Sequence, residues 1–418
     1  MVMVKCMKLS TFVLTIVLVL TACNRVEPGI TLHVAFRGNY DRGAIRAGLE
    51  PWIQETGINV NVVWVEGDWP EYLTNIQLMV ANRQALDLVH AASEGFEMLI
   101  GLGLVAPIDD WIEDNREAFD DFARDAMPGF IEALNFKGQQ FGLPDAWNSI
   151  VTHINMNLLE EAGLERPPAN WDRETFLYYA KSMTRIRGDG TRQFGVFVPN
   201  YYFAFQGWVF NNNTTFMSAD FTESNLLCPR LADIYQFMYD LIYVYQVAPI
   251  PEPGMDEVQM LINGDVGMVW AGRWPISRYI SLGFHDVMIN YVPQFHPGTH
   301  YMNAGVGSIF TLRTTRHMDE AIQLAMFLSS PQFMETASIP VLRSVAEQLV
   351  PATGVPQNYE LFFNHTATIK HLEAPAQYTE VATLIHRTLS DVLINRRDVT
   401  SVLQEAHVEL NLILSANR

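Results

Sequence analysis

The sequence predicts an α/β fold divided between two domains. Strand-like and helical segments alternate from Ile30 to Ala91, the rhythm of a sheet whose strands are joined by crossover helices. Behind a short N-terminal leader about 395 residues remain, more than one hydrophobic core organises. With 49% hydrophobic residues, among them 24 Phe, 15 Tyr and 9 Trp, the chain can fill such cores and is not intrinsically disordered.

The leader comes first. Lys5 and Lys8 precede an apolar run from Leu9 to Leu20, and Thr21, Ala22 and Cys23 follow; residues 1–23 read as a signal peptide. The run has twelve residues, Ser10, Thr11 and Thr15 among them, whereas a spanning helix needs roughly 20 apolar residues. Leu20-Thr21-Ala22-Cys23 resembles the bacterial lipobox. That resemblance implies lipidation of Cys23 and a folded domain outside the cytoplasm, at the cell surface or in the periplasm, tethered to the membrane by acyl chains. Of the three cysteines only Cys228 is then left in the folded part, so no intramolecular disulfide can form. Cys228 reads as a small buried side chain rather than a reactive thiol.

Without the leader, 25 basic side chains face 46 acidic ones, a net charge of about −21. Such a surface repels nucleic acid and anionic headgroups. An uncharged or cationic ligand fits it better than a polyanion.

After the linker Asn24 to Gly29, Ile30 to Phe36 alternates as a strand, and Arg37-Gly38-Asn39 makes a turn. A helix through Ile45, Leu49, Trp52 and Ile53 closes at Gly57, and Ile58 to Val65, rich in β-branched residues, is a second strand. Tyr72 to Arg83 has helical spacing, and Ala85 to Ala91 is a buried third strand. In open sheets of this kind ligands lie beyond the carboxyl ends of the strands, here near Arg37 to Tyr40, Glu66 to Trp69 and Ala92 to Gly95. Further on, helices are expected over Thr175 to Ile186, Leu231 to Val247, Met318 to Leu328 and Thr379 to Ala416, with a strand over Val287 to Val292 and a Pro-rich loop over Pro249 to Gly254.

Several segments in order carry a family resemblance. Asp87-Leu88-Val89 is followed by Gly101-Leu102-Gly103-Leu104-Val105-Ala106-Pro107-Ile108-Asp109-Asp110. Phe141-Gly142-Leu143-Pro144-Asp145-Ala146-Trp147 leads through His153-Ile154-Asn155 to Leu158-Leu159-Glu160-Glu161-Ala162-Gly163-Leu164. Leu261 to Trp274, Asn303 to Gly307 and Ile339 to Ser344 complete the set. Together they resemble the family-one extracellular solute-binding proteins, the group that includes maltose-binding protein.

The resemblance implies a two-lobed, type II-like periplasmic-binding-protein fold with hinge strands and a C-terminal helical region. Lobe one would comprise residues 24–144 and 293–340, and lobe two residues 145–292 and 341–418. It further implies a monomer that captures a sugar or oligosaccharide in the cleft and presents it to the transmembrane permease of an ABC importer, without catalysis.

A pyranose has an apolar face that aromatic rings meet and a hydroxyl rim that planar polar side chains meet with paired hydrogen bonds. The candidate aromatics are Tyr40, Trp69, Trp147, Tyr202, Trp208, Trp270 and Trp274. The candidate rim partners are Arg37, Asn39, Glu94, Asp145, Asn148, Gln206, Arg273 and Asn303. Trp274 and Glu94 also fall where the resemblance places ligand contacts. Ala91-Ala92-Ser93 are small where many family members place an aromatic after the third strand, which leaves stacking on lobe one open. A polyamine ligand, met by Glu66, Asp68, Glu94 and Asp145, is the rival reading. The zinc, nucleophile-elbow and phosphate-loop motifs are absent from the sequence, and the adjacent carboxylates Asp109-Asp110 and Asp120-Asp121 suit a glycoside hydrolase poorly. No cofactor or metal is expected.

Overall fold

The computed structural model describes residues 29–416 apart from 128, 297, 338–339, 347, 349–353 and 363–367. The signal peptide, Cys23 and Ile339 lie outside the described residues.

The first strands form as the alternation predicts. β1 (Thr31–Arg37) and β2 (Asn59–Val65) pair in parallel from Thr31 opposite Asn59 to Arg37 opposite Val65, and β3 (Leu88–Ala92) flanks β1 on its other side. Two crossover helices make this possible, α1 (Arg42–Thr56) and α2 (Trp69–Ala81). The Asp41 carboxylate accepts from the Gly43 and Ala44 amides at 2.8 and 3.0 Å and starts α1. Gly57, at φ 68°, ends it, and its amide donates to the Ile53 carbonyl. α3 (Ser93–Gly101) follows β3 directly.

The larger sheet is completed from distant parts of the chain. Its order is β9 (Thr368–His371), β8 (Tyr301–Thr311), β3, β1, β2, and β4 (Pro144–Ser149) pairs antiparallel to β8. The smaller sheet is antiparallel, with β5 (Val151–Asn155) between β6 (Met268–Ala271) and β7 (Val287–Asn290). Only Ile150 separates β4 in one sheet from β5 in the other, and the chain returns between β7 and β8. Helices α4 (Tyr202–Asn211) and α6 (Met318–Leu328) both pack on β8, and α5 (Pro229–Tyr243) packs on α4.

The expected lobe boundaries need two corrections. Pro144–Ser149 bonds into the larger sheet, so lobe one runs past residue 144. The C-terminal part is shared rather than assigned to lobe two. β9 pairs with β8, the Met127 amide donates to the Val341 carbonyl at 3.0 Å, and Arg343 reaches the Arg124 carbonyl at 2.7 Å. Helix α7 (Tyr378–Leu393) packs on α2 and α3 as well as on α4, α5 and the last helix, α8 (Val399–Ser415). The reason is the width of its apolar face: Tyr378, Val381, Ala382, Leu384, Ile385, Leu389 and Val392 are all buried, too broad a stripe for one partner.

Candidate functional site

Beyond the carboxyl ends of β1 and β3, side chains from five elements converge. Arg37 closes β1, Trp69 opens α2, His90 lies on β3, Glu94 is in the first turn of α3, and Asp145 is the second residue of β4. The Arg37 guanidinium carbon sits 4.8 Å from the Trp69 ring centroid, and its Nε donates to Asn39 Oδ1 at 2.8 Å. The His90 ring is sandwiched: Phe36 stacks at 5.3 Å and 11°, Tyr40 meets it edge-on at 4.9 Å, and Trp69 lies tilted at 6.3 Å. His90 Nε2 lies 3.5 Å from Asp145 Oδ2. Gly307 faces this pair, and a Cβ there would lie 2.7 Å from Asp145 Oδ1 and 3.1 Å from His90 Nε2. Position 307 on β8 has no room for a side chain beside the pair.

The sequence raised doubt about rings on this lobe, since Ala91 and Ala92 are small. Tyr40, Trp69 and His90 supply them instead. His90 escaped the sequence reading; its signal was a histidine inside an otherwise apolar strand.

Glu94 is 5% exposed, and its Oε2 is buried with no hydrogen-bond partner among the described residues. Burial raises its pKa to about 7, against weaker lowering by its own backbone amide and by Arg37. Burial likewise raises the Tyr40 hydroxyl, with Asp145 and Glu94 adding to the effect and Arg37 opposing it. A carboxyl whose folded pKa lies above its unfolded value stabilises the fold when protonated, and that contribution is lost as pH rises through the folded value. Acidification from pH 8 to pH 5 should therefore stabilise the empty protein more than it stabilises Glu94→Gln, by about 3 kcal/mol at most. Denaturant titrations of both proteins across that range measure it; identical pH profiles would place Glu94 in a wetter setting. Glu373 shifts in the same direction, so the difference between the two proteins, not the wild-type curve, is the readout.

A second group of side chains hangs from the end of β6. On β4, Asp145 lies beside His90, and Asn148 reaches the turn that follows β6. Asn148 Oδ1 accepts the Arg273 amide at 2.9 Å. His153 Nε2 meets the Gly272 carbonyl at 2.9 Å, and burial, only partly offset by bonds to the Gly272 and Ala271 backbone, lowers its pKa to about 4, so it is neutral. A Cβ on Gly272 would lie 2.2 Å from Asn148 Oδ1 and 2.3 Å from the Trp274 ring. Glycine thus lets Trp274 fold back over the turn. Trp274 stays 43% exposed, while the Arg273 guanidinium packs 5.8 Å from the Tyr359 ring centroid.

Residues 43–335 match the family described as bacterial extracellular solute-binding protein. The chain belongs to that family. Among relatives of this solute-binding protein, a maltotriose-binding protein of Pyrococcus abyssi is 22% identical over 292 residues, 66% of this chain and 59% of that one. A putative binding protein of Brucella abortus is 23% identical over 387 residues, 86% and 87% of the two chains. Two solved structures share the two-lobed fold. One is an ABC substrate-binding protein of Listeria monocytogenes in complex with cycloalternan (TM-score 0.83, 18% identity, 92% of this chain and 98% of that one). The other is the maltotriose-binding protein of Thermus thermophilus bound with maltotriose (TM-score 0.73, 19% identity, 92% and 100%).

Within the solute-binding protein the remaining candidates lie elsewhere than expected. Trp208 is fully buried among Phe176, Phe237, Trp270 and Phe295, with centroids 4.9 to 5.9 Å away, so it is core. Trp147 is buried against Phe130. The Tyr202 hydroxyl donates to the Glu373 carbonyl at 2.7 Å while its ring stacks on Phe216. Asn303 donates to the Phe203 carbonyl at 2.7 Å and accepts the Ile150 amide at 3.3 Å, which holds the crossing between the sheets. Gln206 donates to Glu373 at 3.1 Å. In these five, ring faces or some of the polar atoms are engaged inside the fold, while Trp147 Nε1, Trp208 Nε1 and Gln206 Oε1 are buried with no hydrogen-bond partner among the described residues. Trp270 is also buried, but it borders a small cavity with Tyr201, Asn200 and Glu257.

Proposed function

We propose that this solute-binding protein, acting as a monomer, captures a sugar or short oligosaccharide between its lobes, without turning it over, and delivers it to the transmembrane permease of an ABC importer. The observation that carries this reading is the contrast between the walls. One presents a partly exposed indole, Trp274, that can take an apolar sugar face. The other presents Arg37, Glu94 and Asp145 beside Tyr40 and Trp69, planar polar groups suited to hydroxyls. Arg37, Asn39, Trp69, Glu94 and Asp145 from lobe one, and Asn148, Arg273 and Trp274 across from them, are the proposed ligand set. The maltotriose and cycloalternan named for its relatives are carbohydrates of the kind this arrangement suits.

The test is a thermal-shift screen against mono- and oligosaccharides and polyamines, followed by analysis of the recovered ligand. A ligand specific to the folded state stabilises it by about 2.7 kcal/mol at a hundredfold excess over its dissociation constant. A shift with one sugar class, and that sugar recovered intact, supports capture. A shift with polyamines alone would replace the ligand, and a consumed glycan would mean catalysis.

The anchor is part of the proposal. Among the described residues no helix is long and apolar enough to cross a membrane, and the lipobox-like Leu20 to Cys23 supplies a lipid tether. Cys23→Ser should release the protein from the membrane fraction; its retention there would overturn the lipid anchor.

A further inference from the structure

A second cavity, of about 310 Å³, opens where β9 approaches the loop after α4 and the start of α5. It shares no lining residue with the site between the lobes. Its lining is neutral and cationic: Thr214, Thr215, Asn225 and Cys228 with Arg230 and Lys370, and no carboxylate. Eight arginines form ion pairs among the described residues. They are Arg42, Arg124, Arg173, Arg185, Arg187, Arg278, Arg387 and Arg397. Arg230 and Lys370 form no ion pair among the described residues.

Each is instead held in place by neutral groups. Arg230 donates to the Asn213 carbonyl at 3.1 Å, which leaves most of the guanidinium's five N–H groups unused by that bond. Lys370 Nζ lies 3.9 Å from the Tyr301 centroid and 5.2 Å from that of Phe210, a cation set against rings. The carboxylate nearest in sequence, Glu373, is engaged by the Gln206 side chain and by the Phe216 and Met217 amides, each at 3.1 Å. Burial lowers the Lys370 pKa, partly offset by Glu373, as expected of an ammonium that lacks a close counter-ion.

We infer that this cavity binds a small oxyanion, a phosphoryl or carboxylate group on a compact molecule, between Arg230 and Lys370. Guanidinium presents paired donors to such a group and ammonium a point charge. The Thr214, Thr215 and Asn225 side chains add neutral polar groups at the same wall. The volume lies at the lower end of small-molecule sites, enough for an oxyanion with a short organic part. Cys228 reports on occupancy. It is half-buried in the lining, and although burial alone would raise its thiol pKa, the Thr214 hydroxyl, the Arg230 and Leu231 amides and the Arg230 charge together hold it below the ordinary value. The sequence suggested a small buried side chain; Cys228 is instead half-buried.

The test uses inorganic phosphate and acetate as probes against chloride at equal ionic strength, read by calorimetry and by the rate at which iodoacetamide alkylates Cys228. The expected result is saturable binding of phosphate or acetate but not chloride, at least fivefold slower alkylation at saturation, and at least tenfold weaker affinity in both Arg230→Gln and Lys370→Met. Sugar affinity at the interlobe site should stay within twofold in both variants, which separates this inference from the proposed function. Equal effects of chloride, or binding unchanged in the two variants, would overturn the site. Should either variant fail to fold, the comparison of phosphate and acetate with chloride on the wild-type thiol decides alone.

Discussion

Trp208→Ala should cost the empty protein about 3–5 kcal/mol of stability, the range for removing a large aromatic from a packed interior. Its indole is fully buried, and four aromatic rings surround it, Trp270 edge-on at 4.9 Å and Phe176 at 5.3 Å. None can fill the space without moving the others, so the site collapses poorly and the cavity penalty is retained. Sugar affinity, measured at a temperature where the variant remains folded, should change by less than threefold. Urea unfolding of wild type and variant gives the first number and titration calorimetry the second. A loss below about 1 kcal/mol together with a large loss of affinity would return Trp208 to the ligand surface.

The difference between Trp208 and Trp274 marks where the sequence stopped being informative. Both lie in aromatic surroundings, and composition alone cannot separate them. What separates them is contact at long range: Phe176, Phe237 and Phe295 close around one, while Gly272 and Asn148 leave the other folded over a turn. The early strands and helices were legible because their signals are local, as with the Asp41 cap and Gly57 at φ 68°. The run from Tyr201 to Trp208 gave no such signal. From Ala204 to Asn211 every residue of α4 is buried, and a helix covered on all sides has no polar stripe to set a period.

The candidate site divides along the same line. Arg37, Trp69 and Glu94 were legible because a parallel sheet directs ligands to the carboxyl ends of its strands. Glu94 and Trp274 had family position in their favour as well. His90 was not legible, since its place depends on Phe36 and Tyr40 stacking from one segment and Asp145 reaching in from another 55 positions on. The C-terminal part was misassigned for a related reason. Nothing local in Thr368–His371 says which sheet edge it will join, and the parallel register with Tyr301–Ala304 decides it.

Trp274→Ala should do the reverse of Trp208→Ala. The indole is already 43% exposed, so its truncation removes little packing and the thermal midpoint of the empty protein should move by no more than a few degrees. A bound sugar face would cover most of the ring, and burying an aromatic of that size contributes about 1.5–3 kcal/mol, a loss of roughly 10- to 150-fold in affinity on truncation. Trp274→Phe should recover part of it. Gly272→Ala supplies an independent check, because a methyl 2.2 Å from Asn148 Oδ1 and 2.3 Å from the indole must displace one or both without deleting either. If Trp274 is the platform, the alanine at 272 should weaken sugar binding in the same direction while Trp274 remains in the chain. Unchanged affinity in both variants would move the ligand platform away from this turn, and a steep fall in apo stability for Trp274→Ala would make the ring a packing residue like Trp208.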